Sequence, residues 1–536
     1  MVYMDKKVTI VDNQESKSNQ YDVYIYKYFV EQSLNSPKDK FRRICNPSLK
    51  NVLSEVFCGF TIRTKRNLIM VKTTYNPKSA KSILKYGKAL LGHSLKDIHP
   101  EATNFNGKGG LGNAVEKYHY GYEPNSKAEP DFQEVGLELK CTPLKILKDK
   151  SMASKERLVL NIINYIEEAQ KDFETSSFWH KNKFLLLMFY LHKAGLDPVE
   201  MVFKLIRTWK FPKTDLKIIK DDWNKIHRKI LQGKAHTLTE GDTLYLAACM
   251  KGSKANAELR KQPYSPVLAQ QRAYSLKTGY MNKIILESFL DEGVRQQLHI
   301  TPKRVEKLRK EFASSKIIKT LHSYKPKETF EQLVERRIQK YYGKTVEQIE
   351  KRTAVRLNIK SKALSYDVCR AIFNIKTKRI DEFEQAGIKL KSVVLEANRN
   401  KVVESMSFPY FRYVDIVNQE WEDSDWYHQL TSKFLFTIFR KSPDGDKSKM
   451  RLVKVIFWNI PYDDLIKAKE LWEDTKQKVC KGEYDKFITS KANNICHVRP
   501  HGTKAQRVPT PQNTKERPMC FWLNNDYILN IILNKK

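Results

Sequence analysis

Two hydrophobic periods alternate along the chain. Short apolar runs of strand length, Leu158–Ile163 and Phe184–Tyr190, stand among segments with helical spacing. In Ile218–Leu231, Trp223, Ile226 and Ile230 fall on one helical face, and a matching helix is expected around Trp472. Between Asp131 and Lys140, Val135, Leu137 and Leu139 alternate with Glu138 and Lys140, which is strand spacing. The mixture predicts a mixed α/β fold with a mixed central sheet flanked by helices.

The pattern occurs twice. Gly92–Ile98 faces Gly343–Ile349, and Asp131–Lys140 faces Glu382–Lys391. Trp179-His180 followed by Lys183-Phe184 faces Tyr427-His428 followed by Lys433-Phe434. Lys251–Ala255 faces His501–Ala505, and Tyr274–Leu276 with Tyr280 faces Trp522-Leu523 with Tyr527. The order is the same and the offset stays between 247 and 251 residues, so the chain is expected to hold two copies of one fold. The expected division is a basic N-terminal extension at 1–80, a first copy at 81–290, a Lys-rich linker at 291–327 and a second copy at 328–536. Val305–Lys310 gives the linker helical spacing.

Charge narrows the partner. The 97 Lys and Arg against 61 Asp and Glu leave +36 over 536 residues. A compositional drift toward Lys does not by itself unbalance the signs. An excess of this size favours a polyanion, nucleic acid above all, because each neutralised phosphate releases a counterion. No apolar run reaches 18 residues and the N-terminus has no signal-peptide core, so a cytoplasmic chain without a membrane span is expected. The eight cysteines are scattered without a CxxC pair and read as reduced thiols. Cys496, His497 and His501 are too cramped for a zinc site and lack a fourth ligand.

The strand Glu138–Lys140 carries the candidate chemistry. Residues two apart on a strand share a face about 7 Å apart, so Glu138 and Lys140 point one way while Leu137 and Leu139 face the core. Gly136 and the loop before it bring Asp131 back to the same face. Two carboxylates at a strand edge suit Mg²⁺, which takes a few carboxylate oxygens together with water and phosphate oxygens. Asp12, Glu15 and Lys17 fit the loose pattern too, but in a polar tract. Upstream, Asn106–Glu116 has glycines that permit close backbone approach to phosphate at a helix start, and it places Glu116 one to two turns into that helix. It is not a P-loop, since no Gly-Lys-Ser/Thr follows at the needed spacing. Lys108 in this stretch is either a DNA-backbone contact or a solvated loop lysine.

These residues together resemble a known family. Gly107–Gly110 with Glu116, followed by Asp131-Phe132 and Glu138-Leu139-Lys140, is similar to the MutH-like branch of the PD-(D/E)xK nucleases. Ser154–Tyr165, Phe173–Phe178, Arg260–Tyr264, Arg272–Met281, Glu404–Phe408, Glu420–Asp423, Cys496–His501 and Trp522–Tyr527 resemble the two-copy type II restriction endonucleases of that branch that cut at GATC. The likeness covers about residues 85–536. It implies a restriction-endonuclease-like fold in tandem and a Mg²⁺-dependent site-specific cut of double-stranded DNA. Asp131 and Glu138 would be the metal ligands and Lys140 the catalytic lysine. Glu116 would be a supporting acid, and Lys183, or in second place Lys181, a further catalytic lysine.

The second copy departs from that pattern. Glu382 stands for Asp131, Lys389 for Glu138, and the glycine stretch is gone, so this copy is expected not to cut. It keeps Arg499-Pro500 where single-copy relatives read a base with Arg, the preferred bidentate reader of guanine. The first copy has Cys249-Met250-Lys251 there. Candidate DNA contacts are therefore Lys108, Lys251, Ser253 and Lys277 in the first copy and Arg499, His501, Thr503 and Asn524 in the second. The second copy then acts as a recognition or effector domain. One catalytic copy cuts one strand, so dimerisation on DNA or successive nicking is expected, and a restriction role implies a cognate DNA methyltransferase. The competing readings are a mismatch-repair nicking endonuclease and a non-catalytic, sequence-specific DNA-binding protein.

Overall fold

The first copy opens with a helical layer, α1 (Ala80–Gly87) and α2 (Gly110–Ala114), the latter extended by a π-helical stretch over Val115–Tyr120. Strands β1 (Glu138–Ile146), β2 (Met152–Ser154) and β3 (Leu158–Ile162) follow, then α3 (Ser177–Asn182), β4 (Phe184–Leu191), β5 (Phe203–Lys210) and α4 (Lys213–Leu231). The copy ends with β6 (Leu246–Met250), β7 (Leu259–Gln262), β8 (Ser265–Gln270), β9 (Arg272–Leu276) and α5 (Thr278–Ser288). The central sheet runs β2-β1-β4-β5 with β1 and β4 parallel, and a second antiparallel sheet runs β3-β9-β6. This computed structural model describes residues 75–105, 107, 109–125, 128–149, 151–251, 259–291, 294, 301–361 and 363–534. They belong to one unit, Thr74–Lys536.

The linker contains α6 (Pro302–Ser315). The second copy then has α7 (Phe330–Gln339), α8 (Val346–Thr353), α9 (Leu364–Ile372) and α10 (Asp381–Ala386) before β10 (Lys389–Leu395) and β11 (Met406–Tyr410). Next come α11 (Asp425–Leu430), β12 (Phe434–Arg440), β13 (Arg451–Trp458), α12 (Tyr462–Lys481), β14 (Cys496–Pro500), the short pair β15 (Val508–Pro509) and β16 (Lys515–Glu516), β17 (Met519–Leu523) and α13 (Asn525–Asn534). Its sheets run β10-β12-β13 and β11-β17-β14, with β10 and β12 parallel and the other pairs antiparallel. The topology of the first copy is thus repeated, as the periodic pattern predicts.

Register corrects one residue of the repeat. Glu138 pairs with Leu185 in the first copy and Lys389 with Phe434 in the second. A one-residue slip would exchange the two faces of a strand. The faces agree with the pairing: Leu185 and Phe434 look toward the β3-β9-β6 and β11-β17-β14 sheets of their own copies, Leu186 and Leu435 toward the N-terminal helices. Lys183 is therefore matched by Ser432, and the apparent Lys183–Lys433 match is out of register.

Three cores follow from this layering. One fills the space between the central sheet of the first copy and α1–α2, through Ile83, Leu111, Val115, Leu137, Leu139, Leu186, Met188 and Ile206. Another lies between the two sheets of the second copy, around Trp426, Trp458 and Trp472. The largest joins the copies: Trp223, Ile226 and Ile230 of α4 and Ile284 of α5 share it with Phe330, Leu333, Val368 and Phe383 of α7, α9 and α10. Polar clasps reinforce it. The Asp242 carbonyl accepts from Lys433 at 3.1 Å, and its carboxylate accepts from Lys229 at 2.8 Å and Asn459 at 3.1 Å.

Helices α5 and α10 approach so closely that Gly279 has no room for a side chain. A Cβ there would lie 2.1 Å from the Glu384 carbonyl oxygen. Gly279→Val is expected to cost about 1–3 kcal/mol, as overpacked cores do. Differential scanning calorimetry reads this as a Tm fall of several degrees. An unchanged Tm would mean that these helices are not packed in this way.

Candidate active site

The carboxylate loop is built by a tight turn. Phe132 and Leu137 form an antiparallel bridge around the 3₁₀ turn Gln133–Val135, closed by Gly136 at φ +61°. That left-handed conformation suits glycine. The turn returns Asp131 to the start of β1. There the Asp131 carboxylate accepts from Leu139 N at 2.8 Å, and Glu138 accepts from Asp131 N at 3.1 Å. Lys140 Nζ donates to Glu138 Oε1 at 2.5 Å, so the two side chains share a face as strand spacing predicts. Lys181 Nζ lies 3.5 Å from the same oxygen.

Glu138 is only 1% exposed, which makes this a desolvated cluster rather than a solvated sheet face. Glu116, from the π-helical stretch after α2, completes it. Burial, and then Asp131, push its carboxyl up to about 8, with Lys140 and Lys181 opposing and Glu138 adding. Burial and the neighbouring Glu138 push Asp131 up to about 7 against Lys140 and the Leu139 N–H. Lys140 would be depressed by burial, but Glu138, Asp131 and Glu116 hold its ammonium above the ordinary lysine range.

Two residues that the motif does not announce join the site. One is Lys181, named in the sequence only in second place, because α3 turns it toward Glu138, while Lys183 at the end of that helix is exposed with its Cε near Gly136. The other is Tyr122, whose hydroxyl is buried without a partner among the described residues and whose ring packs edge-on against Phe132 at 5.6 Å. Burial and then the charges of Asp131, Glu116 and Glu138 raise its pKa, so the hydroxyl stays protonated beside the carboxylates. Among the described residues no three His, Cys, Asp or Glu side chains close into a metal cage. The donor set is instead an open pair of carboxylates with an acid behind it and an orphaned hydroxyl alongside. That fits Mg²⁺, which keeps water and phosphate ligands and offsets the repulsion that raises Asp131 and Glu116.

The corresponding place in the second copy has been rebuilt. Glu382 is buried and accepts from Ile317 N at 2.9 Å and Ile318 N at 2.8 Å, which ties the linker down. Lys389 donates to Gln429 at 3.0 Å, and burial, then Lys391, lower it to about 8. Lys391 points to the Ser407 carbonyl. Ammonium groups here repel a cation.

The candidate DNA contacts are distributed unevenly. Lys251 is exposed at the end of β6, where Met250 pairs with Arg272. Lys277 lies at the other end of that sheet, beside the Leu246–Leu276 pair, with Nζ donating to the Thr243 carbonyl at 2.6 Å. It faces the gap between the copies, away from Lys251. Lys108 and Ser253 lie outside the described residues. Arg499 is exposed on β14, with its guanidinium 4.5 Å from the centre of the Trp522 ring. Thr503 is exposed and His501 half-buried beside Cys520. Asn524 is 5% exposed and engages both polar atoms inside the fold, with His497 at 2.5 Å and the Asn493 carbonyl at 2.6 Å. Its amide is a packing element in this structure, not a surface reader of bases.

Comparison with known proteins agrees with the architecture. The family model described as DNA mismatch repair enzyme MutH matches twice, at residues 120–222 and 373–470. The type II restriction enzyme Sau3AI of Staphylococcus aureus is 34% identical over 497 residues, which is 82% of this chain and 96% of that protein. The DNA mismatch repair protein MutH of Shewanella woodyi is 25% identical over 228 residues, 40% of this chain and 95% of that protein. That of Vibrio campbellii is 22% identical over 226 residues, with 40% and 96% covered. The single-copy proteins thus account for one repeat and the restriction enzyme for both. The chain belongs to the MutH-like family of type II restriction enzymes.

Proposed function

We propose that this chain is a Mg²⁺-dependent type II site-specific deoxyribonuclease that cuts double-stranded DNA at GATC through its first copy. The observation that carries the reading is the buried convergence of Asp131, Glu138 and Lys140 in a chain whose full-length relative is a type II restriction enzyme. In this reading residues 81–290 cut, while residues 328–536 bind DNA without cutting as a recognition or effector domain.

Asp131 and Glu138 would hold the metal, with Glu116 behind them. When bound, Mg²⁺ supplies Lewis-acid activation of the phosphodiester and of the attacking water. Lys140 keeps its charge beside Glu138 and offers its remaining donors to the phosphate or to that water, stabilising charge that grows in the transition state. Lys181 adds a second ammonium to the same cleft and Lys183 a third at its rim. Tyr122 can donate to an oxygen that the fold leaves unsupplied. Because each chain contributes one such centre, cutting both strands calls for two first copies on the DNA or two successive nicks. A restriction role also calls for a cognate methyltransferase.

Digestion of unmethylated plasmid with and without Mg²⁺, followed by sequencing of the ends, tests the assignment. Discrete fragments ending at GATC only with Mg²⁺ are expected. Plasmid that is retarded in a gel yet stays intact would contradict it.

The carboxylates also predict a pH signature. Asp131 and Glu116 have folded-state values above their ordinary ones, about 7 and about 8, so protons favour the metal-free fold. Their contribution is present in full below the ordinary carboxylate range and is lost as pH rises through about 7 and 8. Magnesium competes with those protons. The Tm rise on adding Mg²⁺ should therefore be small at pH 5 and grow toward pH 8, beyond the change seen in Asp131→Asn. An equal rise at both values would argue against metal at these carboxylates.

A further inference from the structure

The gap between the copies forms a cleft of about 390 Å³ whose cations the nuclease chemistry does not use. The first copy contributes Lys155, Arg157 and Lys277, and the second contributes Lys433 beside Thr431 and Ser432. Against these stand Glu156 and Glu240. Glu240 is already paired with Arg157, so it does not neutralise the lysines.

The lysines are poorly compensated. Lys277 donates to a backbone carbonyl, that of Thr243. Lys433 is 5% exposed, donates to the Asp242 carbonyl, and lies 3.8 Å from Glu331, which Lys225 also claims. Burial lowers both ammonium groups to about 8. Asp222 and Asp242 near Lys277, and Glu331 and Asp242 near Lys433, oppose that burial without outweighing it, and a buried cation that is only partly compensated is costly unless a further anion joins it. Helix α5 begins at the same place. It is 11 residues long, its N-cap Lys277 makes no side-chain capping bond, and Thr278 and Gly279 line the cleft. Unpaired N–H groups at a helix start are a ready anion site.

Position adds a third argument, which rests on the proposed cutting site of the first copy. Gly387, at φ +64°, lines the cleft and corresponds to Gly136 at φ +61° beside Asp131. The cleft thus borders the place where the second copy would have held a scissile phosphate.

We infer that this cleft is a metal-independent phosphate site, formed by Lys155, Lys277, Lys433 and the N-terminus of α5. The ligand is one phosphate group, either of a DNA backbone or free in solution. Direct ammonium contacts take the part that a divalent ion plays in the first copy.

The test uses the full chain carrying Asp131→Asn, in EDTA, so that DNA stays intact. Lys155→Glu and Lys277→Gln are added singly. Lys155 is exposed, so its variant does not put folding at stake, and Lys310→Glu on α6 serves as a charge-matched control elsewhere. If the source is free phosphate, inorganic phosphate at constant ionic strength raises Tm in the parent and in Lys310→Glu but in neither cleft variant. If it is the DNA backbone, phosphate has no such effect. Binding of a GATC duplex then weakens on the order of tenfold in both cleft variants, and the salt slope of log K falls by roughly 0.9 for the lost contact. Cleft variants that behave like Lys310→Glu in both assays overturn the inference. Cleavage by the parent sequence with Mg²⁺, measured separately, reports on the nuclease reading, so the two can fail independently.

Discussion

Asp131→Asn and Glu138→Gln should each lose at least about 10³-fold in cleavage rate, because metal and phosphate charge are stabilised in a desolvated site. The amide variants are the informative ones. Asp131 accepts from Leu139 N and Glu138 accepts from Asp131 N, and an amide oxygen can still accept both bonds. What changes is the negative charge. The fold should survive, seen as a Tm close to that of the parent in EDTA, while cleavage disappears. Alanine at either position would orphan a buried N–H as well and confuse the two effects. Cleavage within about tenfold of the parent would remove both residues from the chemistry.

Asp222→Ala should give the largest loss of stability. Asp222 on α4 is fully buried and accepts from three consecutive N–H groups, Leu244 at 2.8 Å, Tyr245 at 2.6 Å and Leu246 at 3.0 Å. It thereby fixes the start of β6 against the helix. Burial raises its carboxyl to about 6, opposed by Lys225 and by the Tyr245 and Leu244 N–H groups. Alanine leaves three buried donors without an acceptor, at about 1–3 kcal/mol each. The sum is a large part of the usual 5–15 kcal/mol of a folded domain. A Tm fall of more than about 10 °C, or failure to accumulate as folded protein, is expected. Two of the bonds converge on one oxygen, so Asp222→Asn should recover part of the loss. A fall under about 2 °C for the alanine variant would show that β6 is held by something else.

Much of the architecture is legible because it rests on local spacing. The alternation from Leu137 to Lys140 gives β1 its two faces, and the apolar positions of α4 give that helix its buried side. The repeat is legible because both copies keep the turn at Gly136 and Gly387. Other features depend on contacts that no window of sequence contains. Glu382 reads as the counterpart of Asp131, yet it holds the linker, because Ile317 and Ile318 come from 65 and 64 residues away. Lys181 reads only as the second-place candidate after Lys183 until α3 turns it toward Glu138. The pairing of Lys183 with Lys433 fails by one residue because strand register, which flips faces, is set by the neighbouring strand. Asn524 carries polar groups suited to DNA but spends them inside the fold on His497 and Asn493, and Lys277 faces the gap between the copies rather than the end of β6 that holds Lys251. Tyr122 has no motif at all. It stands out through a hydroxyl without a partner among the described residues, beside three carboxylates.

The most direct measurement is single-turnover cutting and equilibrium binding of one unmethylated GATC duplex by the parent and by Asp131→Asn, side by side. Binding is measured in EDTA and cutting with Mg²⁺. Equal binding is expected, with cleavage lost by at least about 10³-fold in the variant. Cleavage that persists in Asp131→Asn at a rate near that of the parent would place the catalytic centre elsewhere and contradict the account.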